Sequence, residues 1–221
     1  PNLLQALARN INRGTKNIRL FEIGPVFRGT KETDQTLSCS GVLSGDFQNG
    51  DWQSNARSVD VFDVKKIMEQ ICETLSISSH SLMMKTPGPK WFHPGQSATM
   101  MLGKIAIGSF GMIHPEILRE FDIKVPVAAF DCSINAVPTT RKKSVARALF
   151  KPSAFQTVER DFAFVLDQNV SASSLLRVVK AAAKEQISDI GIFDVYEGDE
   201  IGHGKKSIAV KIQLTPSDAT F

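Results

Sequence analysis

No run of about 18 apolar residues occurs in this 221-residue chain, so no membrane-spanning helix is expected. Residues 1–14 carry Arg9 and Arg13 and lack an apolar core, which excludes a secretory signal peptide. A start methionine is absent, and Thr215 to Phe221 bring no closing element, so the chain reads as a piece of a longer protein. Cysteine is scarce: Cys39, Cys72 and Cys132 are far apart, odd in number and never spaced C-x-x-C. That excludes a disulfide scaffold and argues for a reduced compartment, with all three as small core residues. No G-x-x-x-x-G-K-[ST] phosphate loop is present. With 42% hydrophobic and 22% charged residues, global disorder is excluded as well.

What is present is unevenly distributed. Net charge is +3, composed of +1 over residues 1–138, +5 over 139–151 and −3 over 152–221. The middle segment holds Arg141, Lys142, Lys143, Arg147 and Lys151 between Pro138 and Pro152. Proline punctuation and clustered charge mark a linker between two domains. A basic linker can hold phosphates electrostatically, or it can be a solvated connector.

In the first segment, Leu4, Leu7 and Ile11 predict a short amphipathic helix ended by Gly14. A strand is expected over 18–27, interrupted at Gly24-Pro25, with an antiparallel return over 38–44. Val64, Ile67, Met68, Ile71 and Leu75 predict a helix over 60–75, with Asp60 as N-cap and Asp63 in its first turn. Strands follow at 98–102, 105–112 and 127–134, the first two joined at Gly103-Lys104. Pro115 opens a short helix over 116–121. The class is α+β on a largely antiparallel sheet. His93 and His114 are the natural acid–base candidates. Neither sits in a triad pattern, and each is explained by the proline after it: a turn at His93-Pro94-Gly95, a helix entry at His114-Pro115. No catalytic or metal-ligating residue is assigned.

In the second segment, Phe162, Phe164 and Leu166 alternate onto one strand face. Leu175, Val178, Val179 and Ala182 predict a helix capped near Ser171 or Ser173. Strands over 192–196 and 207–214 flank a turn through Gly198, Gly202 and Gly204. This β-α-β-β order begins the split βαβ, ferredoxin-like pattern, and a final helix and strand are expected after it. Strict alternation places Ile208, Val210, Ile212 and Leu214 against the helix, with Phe193 and Val195. It leaves Asp194, Tyr196, Ser207, Lys211 and Gln213 on an uncovered face, with Ile192. A ring beside hydrogen-bonding groups on an open sheet suits an unpaired base. The alternative is a solvated face with one tyrosine, and the net −3 argues mildly against phosphate binding.

Several stretches together resemble one family along the whole chain. They include Leu20-Phe21-Glu22-Ile23-Gly24-Pro25-Val26-Phe27, Val61-Phe62-Asp63-Val64-Lys65, His93-Pro94-Gly95-Gln96-Ser97-Ala98 and Ile107-Gly108 through His114-Pro115. In the second segment they are Glu159-Arg160-Asp161-Phe162, Phe193-Asp194-Val195-Tyr196-Glu197-Gly198 and Lys205-Lys206-Ser207-Ile208-Ala209. The sequence resembles the C-terminal part of bacterial-type phenylalanine–tRNA ligase β subunits. The resemblance implies an inactive class II synthetase-like domain over 1–138, a linker over 139–151, and a ferredoxin-fold anticodon-binding domain over 152–221, truncated at its C-terminus. It implies a cytoplasmic ligase that joins phenylalanine to tRNA(Phe) with ATP and Mg2+, the chemistry lying on an α subunit in an (αβ)2 assembly. In this fragment it implies no cofactor and no membrane. Asp194, Tyr196 and Ser207 match anticodon-contacting positions, with Lys205, Lys206 and Lys211 as supporting tRNA contacts. Arg28 ends a stretch like the start of the class II ATP-binding strand, without the later motifs that would complete an ATP site. Gln156 stands where the family commonly has proline. The competing expectations are a protein–protein interaction fragment without RNA binding of its own, marked by exposed Phe or Leu on the first segment, and an enzyme using His93 or His114.

Overall fold

The computed structural model describes residues 1–27, 29–137, 155–183 and 186–216, without the side chain of His80. Arg28 and the basic segment 139–151 lie outside the described residues. The chain divides into two compact units, Pro1–Arg141 and Lys142–Phe221.

The first unit runs α1 (Asn2–Asn12), β1 (Ile18–Phe27), β2 (Gln35–Ser44), β3 (Asp46–Gln48), β4 (Arg57–Ser58), α2 (Val61–Thr74), β5 (Leu82–Lys85), β6 (Phe92–Leu102), β7 (Ile105–Ile113), α3 (Pro115–Glu120) and β8 (Val127–Ser133). Six strands form one antiparallel sheet in the order β1-β2-β8-β7-β6-β5. The sheet is packed on both faces. On one, Val64, Met68 and Cys72 of α2 meet Met100, Ile107, Phe130 and Cys132. On the other, Leu4 and Leu7 of α1 and Leu118 of α3 meet Ile18, Val42, Val127 and Ala129. All three cysteines are buried and free, as the sequence suggested for core residues. Burial pushes the Cys39 thiol up, and the Asp131 charge adds to it.

Two expectations are corrected. Gly24-Pro25 does not interrupt β1, which pairs with β2 continuously from Ile18 to Phe27. β1 is the sheet edge, one of the positions where a strand residue without an N–H is tolerated. Nor is His93-Pro94-Gly95 a turn before a strand. It lies inside β6, which begins at Phe92 and carries a register shift between Phe92 and Ser97. The proline costs the ladder one donor, and the irregularity absorbs it. The His93 Nδ1 accepts the Gly95 N–H at 3.2 Å. His114 is the helix entry expected: it caps α3, its Nδ1 accepting the Glu116 N–H at 3.3 Å.

The N-terminus of α2 is a reciprocal cap. Asp60 accepts the Phe62 and Asp63 N–H groups, and Asp63 accepts the Asp60 N–H at 2.9 Å. Arg57 grips Asp63 with two bonds of 2.6 and 3.0 Å, its guanidinium lying 4.8 Å from the Phe47 ring centre. Burial pulls the Asp63 carboxyl upward, but the Arg57 and Asp60 hydrogen bonds outweigh it and hold the group below its ordinary range. A depressed folded value means stability present above the unfolded value of about 4 and lost as pH falls through the lower folded one. Asp63→Asn should therefore cost about 1.5–3 kcal/mol near pH 7, the range for hydrogen bonds to charged groups. The gap to the unmodified chain should narrow below about pH 4. Urea midpoints at pH 7 and pH 3 check this, and a gap independent of pH would exclude the ionised pair as its origin.

The second unit runs β9 (Val158–Asp167), α4 (Ala172–Ala182), β10 (Ile187–Tyr196) and β11 (Lys205–Leu214). The sheet order is β10-β11-β9, all antiparallel, the arrangement of a β-α-β-β half of the split βαβ pattern. Ser171 caps α4, accepting the Ser174 N–H at 3.2 Å. Leu175, Leu176 and Val179 pack on Phe164, Ile190, Ile192, Ile208, Val210 and Ile212. Val178 was expected on that stripe and is instead 65% exposed, Leu176 taking its place in the core.

Candidate nucleic-acid interface

Helix α4 covers one face of the small sheet, and the other face is uncovered among the described residues. Register fixes what it displays. Tyr196 lies opposite Ser207, which lies opposite Val165, so these three cross the sheet in one row. The next row is Asp194, Ala209 and Ala163, and the next Gly191, Lys211 and Asp161. The short side chains of the middle row leave a shallow floor beside the tyrosine ring. Val165 and Ala163 belong to this surface and were not singled out from sequence. The signal was there, since they alternate with Phe162, Phe164 and Leu166, of which Phe164 and Leu166 join the core while Phe162 stays 46% exposed.

Asp194, Tyr196 and Ser207 reach one face by a route that strict alternation does not give. A register shift between Ile192 and Asp194 marks a β-bulge, with Phe193 as the extra residue. Ile192 pairs with Val210 and packs into the core, so it does not share the open face with Asp194. Phe193, expected against α4, is the bulged residue and is 56% exposed; Val195 keeps the helix-side register opposite Ile208 but is 52% exposed. The bulge lets Ile190 and Ile192 be buried upstream while Asp194 and Tyr196 face away downstream.

Tyr196 is the chain's single tyrosine and is 44% exposed. Its ring lies over Gly198, where an added Cβ would fall 2.6 Å from the ring Cζ. Gly202 and Gly204, at φ 89° and 73°, turn the chain from β10 into β11, a region where glycine has no steric penalty. The glycines of this turn thus both close the hairpin and leave room for the ring.

The three lysines are placed differently. Lys205 and Lys211 share the parity of Ser207 and belong to the open face. Lys206 has the opposite parity, and its ammonium donates to the Gln168 carbonyl at 2.9 Å. The structure does not bring it to the tyrosine. Lys211 is engaged by Glu159 at 3.6 Å. Asp161, Asp167, Asp189 and Asp194 stand on the same face by register, so carboxylates outnumber ammonium groups there. Such a surface suits stacking and base-edge hydrogen bonds better than phosphate binding.

Two family models match the chain. One, described as the phenylalanyl tRNA synthetase beta chain CLM domain, covers residues 1–134, and the other, the ferredoxin-fold anticodon binding domain, covers 153–221. The chain belongs to the phenylalanyl-tRNA synthetase β-chain family. It is 41% identical over 222 residues to the phenylalanine–tRNA ligase beta subunit of Paramagnetospirillum magneticum. It is 37% identical over 222 residues to that of Rhodospirillum rubrum and 40% identical over 226 residues to that of Cereibacter sphaeroides. Each match takes in 100% of this chain and 28% of the relative, so the chain spans little more than a quarter of the curated relatives it matches. The ferredoxin-fold match falls on the unit that carries the Tyr196 face. No helix among the described residues is long and apolar enough to cross a membrane.

The first unit carries a different kind of surface. Phe21, Ile23 and Phe27 alternate along one side of β1, with Leu37 beside them on β2. Phe21 is 73% and Phe27 66% exposed, and Ile23 more than half. This is the exposed apolar surface that the protein-contact expectation named. No group of three or more His, Cys, Asp or Glu able to hold a metal ion occurs among the described residues. On this unit one cavity presents the Asp131 carboxylate, and a second, beside α3, is lined by Arg119 and Lys124. No step through ATP or Mg2+ is assigned to the described residues.

Proposed function

We propose that this chain is the tRNA-reading and subunit-contacting part of a phenylalanine–tRNA ligase, a cytoplasmic enzyme that joins phenylalanine to tRNA(Phe) using ATP. In this reading residues 1–138 are a catalytic-like domain without chemistry, 139–151 a basic linker, and 152–221 the anticodon-binding domain. The α subunit supplies the amino-acid pocket and the ATP and Mg2+ site of an (αβ)2 heterotetramer. The observation that carries the RNA reading is the row Tyr196, Ser207, Val165 on an uncovered sheet face, with Asp194 in the next row. The ring offers a stacking platform. Ser207 and Asp194 can donate to and accept from a base edge without contributing positive charge. Lys205 and Lys211 stand on the same face as supporting contacts, and Lys206 is a candidate only for phosphates approaching from the other side.

The exposed Phe21, Ile23 and Phe27 favour a second role for the same chain, protein contact through the edge of the large sheet. The two roles fall on different units and are compatible.

The test is a titration of the assembled ligase with an anticodon stem-loop carrying GAA, against a scrambled loop, at two salt concentrations. A preference for GAA that persists at the higher salt supports base reading. Equal affinity for both loops would remove the anticodon assignment and leave only the contact role.

A further inference from the structure

The large sheet holds a cavity of about 370 Å3 on its α1 and α3 side. Its wall is mostly apolar, built from Leu4, Val42, Phe92, Ile113, Phe121 and Ala129. Ser40 and Asp131, cross-strand partners on β2 and β8, also line it. Asp131 is the one charged side chain among the described residues lining it. The carboxylate is held from one side only. The hydroxyls of Ser38 and Ser40 both donate to Oδ1, each at 2.6 Å. Oδ2 receives no hydrogen bond from the described residues. Two hydroxyls thus fix the carboxylate plane and leave one oxygen to accept from whatever enters.

We propose that this cavity binds a protonated amine carried on an apolar or aromatic body. Its volume falls at the small end of ordinary small-molecule sites, which run from about 300 to 1,000 Å3. An apolar wall with one oriented carboxylate matches a ligand with a greasy body and a cationic head, because a charge-assisted hydrogen bond offsets the desolvation of both ions. Phe92 and Phe121 add aromatic side chains to the wall, a residue type that can attract a cation. Anions are excluded by the carboxylate itself. A zwitterionic amino acid is disfavoured too: no lysine or arginine side chain lines the cavity, so its carboxylate would be buried unpaired. The site therefore selects amines that lack an acid group. It lies wholly in the first unit and does not depend on the RNA reading.

The test uses the full-length chain and three probes of one size. They are 2-phenylethylamine, 2-phenylethanol, which lacks the charge, and phenylalanine, which adds a carboxylate. Binding is read by isothermal titration. The amine is expected to bind at least tenfold more tightly than the alcohol or the amino acid at this site. Asp131→Asn should abolish that preference, and Ala129→Leu, which fills the cavity without touching the carboxylate, should abolish amine binding. If Asp131→Asn fails to fold because Ser38 and Ser40 lose their acceptor, Ala129→Leu decides alone. No amine binding by the unmodified chain, or amine binding unchanged in Ala129→Leu, would overturn the proposal.

Discussion

On the proposed subunit-contact role, replacing Phe21 and Ile23 together by aspartate should strongly weaken assembly with the α subunit. The two side chains stand on the same side of β1, more than half exposed, at the edge of a six-stranded sheet. An edge strand presents unpaired backbone groups, and an apolar edge normally needs a cover to avoid uncontrolled pairing. A few buried anchor side chains at the centre of an interface carry most of its energy, about 2 kcal/mol or more each. Burying two carboxylates there adds a desolvation cost on top. The expected loss of affinity is at least 100-fold, equivalent to about 2.7 kcal/mol. Size-exclusion chromatography with light scattering reads it directly. Because neither residue contributes to the hydrophobic cores, the variant should keep its thermal midpoint, which separates lost assembly from lost folding. A heterotetramer of unchanged mass would remove this surface from the interface.

Tyr196→Ala should weaken binding of the GAA stem-loop by about 10- to 100-fold, equivalent to roughly 1–3 kcal/mol for one stacked base. The loss should be nearly independent of salt, because the ring carries no charge and the surrounding face is rich in carboxylates. Assembly should be untouched. Tyr196→Phe should retain most of the affinity if stacking dominates, and Gly198→Val should reproduce part of the loss by pushing the ring off its resting place. Filter binding at 50 and 200 mM salt checks all three. Unchanged affinity in Tyr196→Ala would leave the face without its principal contact.

The parts of this fold governed by strong local chemistry were readable in the sequence. Asp60 and Asp63 flank the start of an apolar period of 3.6, and they form the reciprocal cap of α2. Ser171 caps α4 for the same reason. Ile208, Val210 and Ile212 alternate without a break and face the helix as expected. What the sequence hid is what depends on position in the sheet. Pro25 looked like a break because its effect differs between edge and interior, and nothing local says that β1 is the edge. His93-Pro94-Gly95 looked like a turn because a register irregularity uses the same residues as a turn. The two small strands β3 and β4 were too short to show a period. Among the site residues, Lys206 falls on the face opposite Lys205 and Lys211, since neighbours in a strand point to opposite faces.

The bulge at Phe193 has one more consequence. Removing that residue would leave Ile190, Ile192 and Val195 on the helix side and Asp194 and Tyr196 on the open side, in plain alternation. The extra residue therefore does not choose which side chains are displayed. It changes the pitch at which they are displayed, since a bulge bends its strand and increases the local twist. Burial dictates the rhythm of the strand, and one supernumerary residue sets the tilt of the ring at its end. The angle of approach can then drift or be engineered by inserting or deleting a single codon, without repacking the core beneath it.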